Sequence, residues 1–355
     1  MGEVGLGGAA GESAGRGGAG QSDADEAEGE GRAAVRRRLR RVALASARAC
    51  VWAVALLSVA SLFGRRPFFE LATHFRLQYA LASTACAAAL ACARSWKTLL
   101  LAAACAAFGW ACVVPYYSRG GHEARDPAHA RLVVMFANVE GGNTEYGALL
   151  DSVGEVRPDV LALAEVTPEW WARVGPALAR EYPYAEALPK QGGSGLALFS
   201  RFPLEGAEAF DVDASTHPLM RARVMLPRAT LRLLLMHPTT PLRTDKFAYR
   251  SGQFERAAEL MNSGEGPRAL VGDLNATPWS PYFRDLLTRT RLRDVRAGAG
   301  LLPTWPAYLP AFLRIPIDHC LVSPDVRVYA ARTGPRTGSD HLPLVVELGL
   351  PPKGE

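Results

Sequence analysis

A chain of 355 residues with 40 Lys and Arg against 35 Asp and Glu carries a formal charge of +5, but the surplus lies within its first 119 residues. From residue 120 onward 26 basic residues face 27 acidic ones, a near-neutral balance without the basic surplus by which proteins grip duplex phosphates non-specifically. Five of the six cysteines, Cys50, Cys86, Cys92, Cys105 and Cys112, fall in apolar segments and leave Cys320 alone beyond them, which excludes a disulfide framework there, and no Cys/His zinc spacing occurs.

Residues 1–31 are mostly Gly, Ala, Ser, Glu and Asp, too poor in large apolar side chains to offset chain entropy, so a disordered tail is expected. Arg32, Arg36, Arg37, Arg38, Arg40 and Arg41 follow and open a membrane region at 32–119. Its three apolar segments, about 42–63, 71–93 and 98–117, are each near the roughly 20 residues that span a bilayer, and are read as three transmembrane helices. Arg48, His74, Arg76 and Gln78 stand near segment starts and read as interfacial or snorkelling side chains without a functional role. Short-loop charges set Arg36, Arg37, Arg38, Arg40, Arg41, Arg94 and Lys97 on one side against Arg65, Arg66 and Arg119 on the other. The first side is then cytoplasmic, the protein a multi-pass inner-membrane one, and everything after residue 117 periplasmic or extracellular. A cleaved signal peptide fits poorly with an Arg cluster this deep in the chain and three spans after it.

Beyond a polar linker at 118–130, residues 132–137 read as a strand ending at Asn138, a Gly-rich loop follows, and 146–156 form a helix closed by Arg157-Pro158. A second buried strand at 160–164 delivers Glu165, a carboxylate that needs a cation, a donor or water. Trp170 and Trp171 head a helix to residue 180 as packing residues, and Gly192-Gly193-Ser194-Gly195 turns into a strand at 196–200, too unlike a Walker sequence for a phosphate loop. Strands at 223–226 and 231–236 pair, the second ending at His237, a residue that alone at a strand end is more often structural than catalytic. A polar loop at 239–249 and a helix at 250–261 lead to the apolar run 269–271.

That run delivers Asp273 and Asn275, two residues apart and therefore expected on one face, able to share a ligand. Read by themselves they also suit a turn. Ser280 as N-cap and Pro281 at the first helical position start the next helix. In Ile317-Asp318-His319-Cys320-Leu321-Val322, alternation sets Asp318, Cys320 and Val322 on one face and Ile317, His319 and Leu321 on the other, so His319 reads as structural. Asp340-His341 precedes a last strand at 344–348. Polar groups thus stand at the ends of six strand-like runs.

In this order the residues resemble the endonuclease/exonuclease/phosphatase superfamily, over about 131–348, and most of all its bacterial membrane-anchored members. Val271-Gly272-Asp273-Leu274-Asn275-Ala276-Thr277 and Gly338-Ser339-Asp340-His341-Leu342-Pro343 carry the resemblance most specifically, then Pro158-Asp159-Val160-Leu161-Ala162-Leu163-Ala164-Glu165-Val166. Periodicity by itself supports only mixed α and β. The resemblance implies an α+β fold, a DNase I-like four-layer α/β sandwich of two packed β-sheets flanked by helices over 131–350, with its site at one edge. It also implies a metal-dependent phosphoric ester hydrolase using Mg²⁺ or Mn²⁺. Glu165 would be the main metal ligand, helped by Asn138 and Asp340. Asp273 would orient or deprotonate the attacking water, Asn275 hold a phosphoryl oxygen, His341 contact the phosphate with Asp318 fixing its imidazole, and His237 serve as second acid-base group. Glu140-Gly141-Gly142-Asn143, after Asn138, departs from better-known members.

The expected partners are a phosphoester substrate and a lipid bilayer; nucleic acid, lipid head group and small phosphorylated metabolite all remain open, with domain charge giving no indication of nucleic acid. The competing reading is a membrane scaffold or binding protein that keeps the fold without catalysis.

Overall fold

The protein is described from a computed structural model covering residues 1–2, 18–66, 68–118, 120–212, 217–242 and 244–353. Two sheets of six strands carry the large part of the chain. The first has the order β11 (Arg327–Thr333), β12 (Leu344–Leu350), β1 (Ala130–Asn138), β2 (Val160–Ala164), β4 (Leu196–Ser200) and β3 (Tyr184–Leu188). The second runs β5 (Leu204–Asp211), β6 (Pro218–Met225), β7 (Thr230–Met236), β8 (Arg268–Asp273), β10 (Asp318–Val322) and β9 (Arg293–Asp294). Pairing is antiparallel except between β1 and β2 and between β7 and β8.

Strand periodicity explains the layers. In β1, Leu132, Val134 and Phe136 enter the core between the sheets, while Val133, Met135 and Ala137 join the core under the helices α5 (Tyr146–Val156) and α6 (Pro168–Leu178). On the second sheet Leu234, Leu270 and Leu321 pack beneath α7 (Thr244–Asn262) and α8 (Pro281–Thr290). Central strands buried on both faces read as unbroken apolar runs, which is why they were legible by composition. Four layers, helix, sheet, sheet, helix, result.

The helix at Tyr146–Val156 matches its expected limits, and Ser280 caps α8 by accepting from the Tyr282 amide at 3.2 Å with Pro281 at the first turn. α7 begins at Thr244, well before the expected start at 250, and takes in residues read as polar loop. The reason is that its buried face carries Arg250 beside Phe247 and Phe254, so the helical period does not show as an apolar stripe.

Ahead of the sandwich run α1 (Gly18–Ala60), α2 (Arg76–Cys92), α3 (Trp96–Val113) and the single turn α4 (Pro115–Ser118). The expected disordered tail falls partly on residues 3–17, outside the described residues; from Gly18 onward the chain is helical. Ala, Glu and Arg favour helix there, and Arg32 pairs with Glu28 one turn earlier. Among the described residues two helices are long and apolar enough to cross a membrane, Glu28–Phe63 and Trp96–Ser118, where three were expected. The middle segment falls short because its first residues do not join α2, which has only 17. They form a short 3-10 turn, Phe69–Thr73, docked on the sandwich.

This linker overturns the reading of its polar residues as snorkelling. Glu70 and Arg250 form an ion pair with both side chains fully buried, and Ser280 Oγ donates to Glu70 at 2.6 Å. His74 Nδ1 lies 3.0 Å from Thr277 Oγ1, Arg76 donates to Ser61 Oγ at 2.6 Å, and Gln78 donates to the carbonyls of Phe312 and Arg314 at 3.1 and 3.0 Å. Arg48 donates to Ser95 Oγ at 3.0 Å, between α1 and the α2–α3 turn. The far ends are tied as well: Trp279 Nε1 donates to the Cys112 carbonyl at 3.1 Å, and the Gly298 and Gly300 amides donate to the Tyr116 carbonyl.

Removing one partner of a buried ion pair costs about 3–5 kcal/mol, because the other charge is left without compensation. Glu70→Ala is therefore expected to lower the melting temperature of the full chain strongly, while Glu70→Leu combined with Arg250→Met lowers it less. Thermal unfolding of the full chain reads both, and an unshifted midpoint in Glu70→Ala would mean that the linker is not fastened here.

Candidate active site

The site lies where strand ends of both sheets meet. Parallel pairing sets Asn138 beside Ala164, so Asn138 and the following Glu165 leave one edge of the first sheet together. On the second sheet Asp318 is the register partner of Asp273, and Met236 of β7 leads directly to His237. Gly272 permits this crowding: a Cβ there would strike the Met236 carbonyl oxygen, so only glycine lets the two backbones pass.

Hydrogen bonds then join the converging groups. Asn138 Nδ2 donates to Glu165 Oε1 at 2.8 Å and to Asp273 Oδ2 at 3.1 Å, and the Gly141 amide donates to Glu165 Oε2 at 3.1 Å. His237 Nε2 stands 3.4 Å from Glu165 Oε1, while its Nδ1 is 3.2 Å from the Asp273 carbonyl oxygen and 3.6 Å from Asp273 Oδ2. His341 Nδ1 meets both oxygens of Asp318, at 2.9 and 3.1 Å, and its Nε2 faces Asp273 Oδ2 at 3.7 Å and Asp340 Oδ1 at 3.8 Å. All eight residues singled out by the sequence thus belong to one connected cluster or its immediate rim.

Two details differ from expectation. Asp273 ends its strand, and Asp273 Oδ1 accepts the Asn275 amide at 2.9 Å, a turn closed by the side chain. Asn275 reaches the same cleft through a left-handed backbone, φ 48°, not through strand alternation, and one of its amide hydrogens goes to the Pro238 carbonyl at 2.9 Å. Asn138 turns its donor end to the carboxylates while its Oδ1 accepts the Glu140 amide at 3.0 Å, so as placed it positions Glu165 and does not offer a ligand oxygen. Glu165 and Glu140 are also left-handed, at φ 63° and 55°, a conformation costing about 1–3 kcal/mol for a non-glycine residue and concentrated where function demands it.

Five carboxylates, those of Glu140, Glu165, Asp273, Asp318 and Asp340, gather around two imidazoles. Burial pushes the Glu165 carboxyl up, but hydrogen bonds from His237, Asn138 and the Gly141 amide overcome it and hold the group at about 2. Burial lowers His237, yet Glu165 and Asp273 raise it to about 9; burial likewise lowers His341, and Asp318 raises it to about 10. The Asp273 carboxyl is raised by burial and by the Asp318 charge. Both imidazoles are therefore protonated at neutral pH in this arrangement. His319, as expected, faces away: its ring contacts Arg296 at 2.8 Å and the Ala276 carbonyl at 2.7 Å and packs on Phe283.

Several participants were not recognised in the sequence. The Asp340 amide donates to Glu140 Oε2 at 2.9 Å and Trp305 Nε1 donates to Asp340 Oδ2 at 2.8 Å. Glu140 carried a signal, a carboxylate two residues past a strand-end Asn, but its loop matched no familiar member. Arg250 donates to the Asn275 carbonyl at 3.1 Å, so the ion pair with Glu70 reaches the site. Leu71, His74 and Phe75 of the linker line the same cleft, of about 470 Å³, opposite Pro241 and Leu242; an apolar segment read as a membrane span hid them.

The donors fit a hard divalent cation: oxygen groups in excess of the two positive imidazoles that balance them. Asp273, Asp318 and His341 also bring ligand-capable atoms within 4.8 Å of one another, but both Asp318 oxygens are engaged by His341. Glu165 and Asp340, with side chains 24% and 32% exposed, are the open ones.

Among solved structures the chain resembles D. rerio TDP2 humanised by 14 mutations, at 17% identity and TM-score 0.51, over 61% of this chain and 98% of that one. Truncated Caenorhabditis elegans TDP2 matches at 18% identity and TM-score 0.51, over 62% and 97%. An endonuclease/exonuclease/phosphatase from Bacteroides vulgatus matches at 17% identity and TM-score 0.51, over 62% and 99%. These likenesses show a shared fold. No curated protein matches the sequence. The sequence pattern of the Endonuclease/Exonuclease/phosphatase family matches residues 135–341, more than half of the chain and every strand end described above, and the chain belongs to that family.

Proposed function

We propose that the protein is a membrane-anchored, divalent-metal-dependent phosphoesterase that hydrolyses phosphodiester or phosphomonoester bonds outside the cytoplasm. The observation that carries this reading is the meeting of Glu165, His237, Asp273 and the His341–Asp318 pair at one cleft. Hydrolysis needs negative charge stabilised on phosphoryl oxygens, a water deprotonated and a leaving oxygen protonated, and one group is available for each task.

Glu165 would hold the metal, with Asp340 and Glu140 beside it and Asn138 orienting the Glu165 carboxylate. When bound, Mg²⁺ or Mn²⁺ supplies Lewis-acid polarisation of a phosphoryl oxygen. Asp273, whose buried carboxyl has a raised proton affinity, takes the proton of the attacking water. His341, held as imidazolium by Asp318, donates to a phosphoryl oxygen from Nε2, and Asn275 offers its remaining amide hydrogen. His237, protonated beside Glu165, gives its proton to the leaving oxygen as the phosphorus–oxygen bond breaks.

Anchoring is supported by chain direction. α1 and α3 both end at the sandwich, so α2, packed against each, runs back between them, and the short-loop charges put the sandwich on the non-cytoplasmic side. The described residues lining the cleft include no Lys or Arg, which favours a substrate with few phosphates over a polyanionic strand, although D. rerio TDP2 has been crystallised complexed with single strand DNA product.

The test is turnover by the full chain with Mg²⁺ or Mn²⁺ against plasmid DNA, single strands, sphingomyelin-like lipids and phosphomonoesters; no turnover of any by folded protein would return the chain to the scaffold reading. Glu165→Gln is expected to lower kcat by more than the roughly 10- to 100-fold typical of changes outside a metal's direct ligands, in a chain that still folds but melts lower, because the hydrogen bonds that hold the carboxyl at about 2 stabilise the fold; EDTA is expected to give the same loss of turnover, reversed by Mg²⁺. Full turnover in excess chelator would sink the metal mechanism.

Because His341 and Asp318 act as a unit, Asp318→Ala combined with His341→Ala is expected to cost little more than His341→Ala alone. Additive losses in a steady-state comparison of the three variants would mean separate roles. For topology, a reporter active only outside the cytoplasm, fused after Glu355, is expected to be active; signal from a cytoplasm-only reporter would overturn the orientation.

A further inference from the structure

Beside the catalytic cleft lies a second concavity of about 480 Å³, walled by Leu57 and Ala60 of α1, by Phe68 and Phe69 of the linker, and by Tyr79 of α2. Leu71 and Phe75 belong to both walls, so groove and cleft abut along these two side chains. The groove is lined by hydrocarbon and aromatic groups, and no charged side chain enters it among the described residues. Phe68, Phe69 and Phe75 are all exposed, as is Leu242 across the cleft. Phe312 and Leu313 are exposed too, in the turn whose carbonyls are held by Gln78 at the start of α2. An apolar rim of this extent beside a hydrolytic cleft marks contact with an apolar phase or ligand.

Two features say what occupies the groove. Its α1 wall is part of a helix apolar and long enough to cross a bilayer, so in the anchored reading the groove borders lipid. Its other end meets the carboxylates and imidazoles through Leu71 and Phe75. A ligand spanning both parts is apolar at one end and carries a phosphate at the other.

We propose that the substrate is a membrane lipid with a phosphoester head group, drawn sideways from the bilayer, its hydrocarbon tail lying in the groove between α1 and the linker while the phosphate reaches His341 and Glu165. This rests on the phosphoesterase reading above and names its substrate class. The linker sets the specificity: Leu71 and Phe75 stand at the junction of tail and head group, and the Glu70–Arg250 pair holds them there.

The experiment uses the full chain in lipid nanodiscs with Mg²⁺ and a series of p-nitrophenyl alkyl phosphodiesters from methyl to dodecyl, each below its micelle concentration. Burying a methylene favours binding roughly threefold to fourfold, so kcat/KM is expected to rise at least about tenfold from the methyl to the octyl ester. Ala60→Trp and, as a second variant at a more exposed position, Leu57→Trp fill the groove, and the octyl-to-methyl ratio is expected to fall toward one in whichever of them keeps the wild-type melting temperature. A flat series in the wild type, with turnover present, overturns the tail site and leaves the phosphoesterase reading standing. An unchanged ratio in the filled variants shows that the gain is partition into the bilayer alone and also overturns it. No turnover of any ester by folded, Mg²⁺-loaded protein overturns the phosphoesterase reading itself, and the tail site with it.

Discussion

A strand buried on both faces carries polar side chains most cheaply at its ends. In this molecule β1, β2, β7, β8 and β10 lie between a second sheet and a layer of helices, and Asn138, Asp273 and Asp318 stand at strand termini that share one edge. Burial there raises the electrostatic stakes: each carboxylate must meet a donor or a positive charge, or lose its ionisation. The same constraint that makes the core dry gathers Glu165, Asp273 and Asp318 and sets two imidazolium groups among them.

That constraint also decides what a reader of the sequence can see. Asn138, Glu165, His237, Asp273 and Asp318 each stand at or next to the end of an apolar run, and such runs show in composition without any knowledge of contacts. Asp318 was separable from His319 because alternation holds across β10, where Cys320 and Val322 enter the core between the sheets and Leu321 the core beneath the helices. For Asn275 the turn-forming character of Asp and Asn was the better guide than strand alternation, since the strand stops at Asp273 and the chain turns left-handed at Asn275. Arg250 was missed because a buried Arg breaks the apolar stripe that identifies a helix face; its partner, Glu70, is 180 residues away in the chain. Hydropathy counted 71–75 as membrane span, when Leu71, His74 and Phe75 line the cleft where the strand ends meet.

The linker therefore changes what counts as the functional unit. The family match begins at residue 135, yet one wall of the cleft comes from residues before 80, and the turn that carries Asn275 is held by an arginine whose charge is balanced from that wall. Helices joined by a floppy tether would leave the sandwich free to turn; hydrogen bonds from Trp279 to Cys112 and from Gln78 to the 312–314 turn fix it in one pose against α1–α3. Orientation relative to the helices is thus a property of the fold.

The left-handed backbone at Glu165 has an evolutionary consequence. Glycine, or an asparagine whose short side chain bonds locally, would sit there with less strain than glutamate. Against that strain stand the hydrogen bonds to the Glu165 carboxylate from Asn138 and the Gly141 amide, which a glycine would forfeit. A lineage no longer selected for this site would then shed Glu165 only together with the groups that hold it, Asn138 and the Gly141 turn.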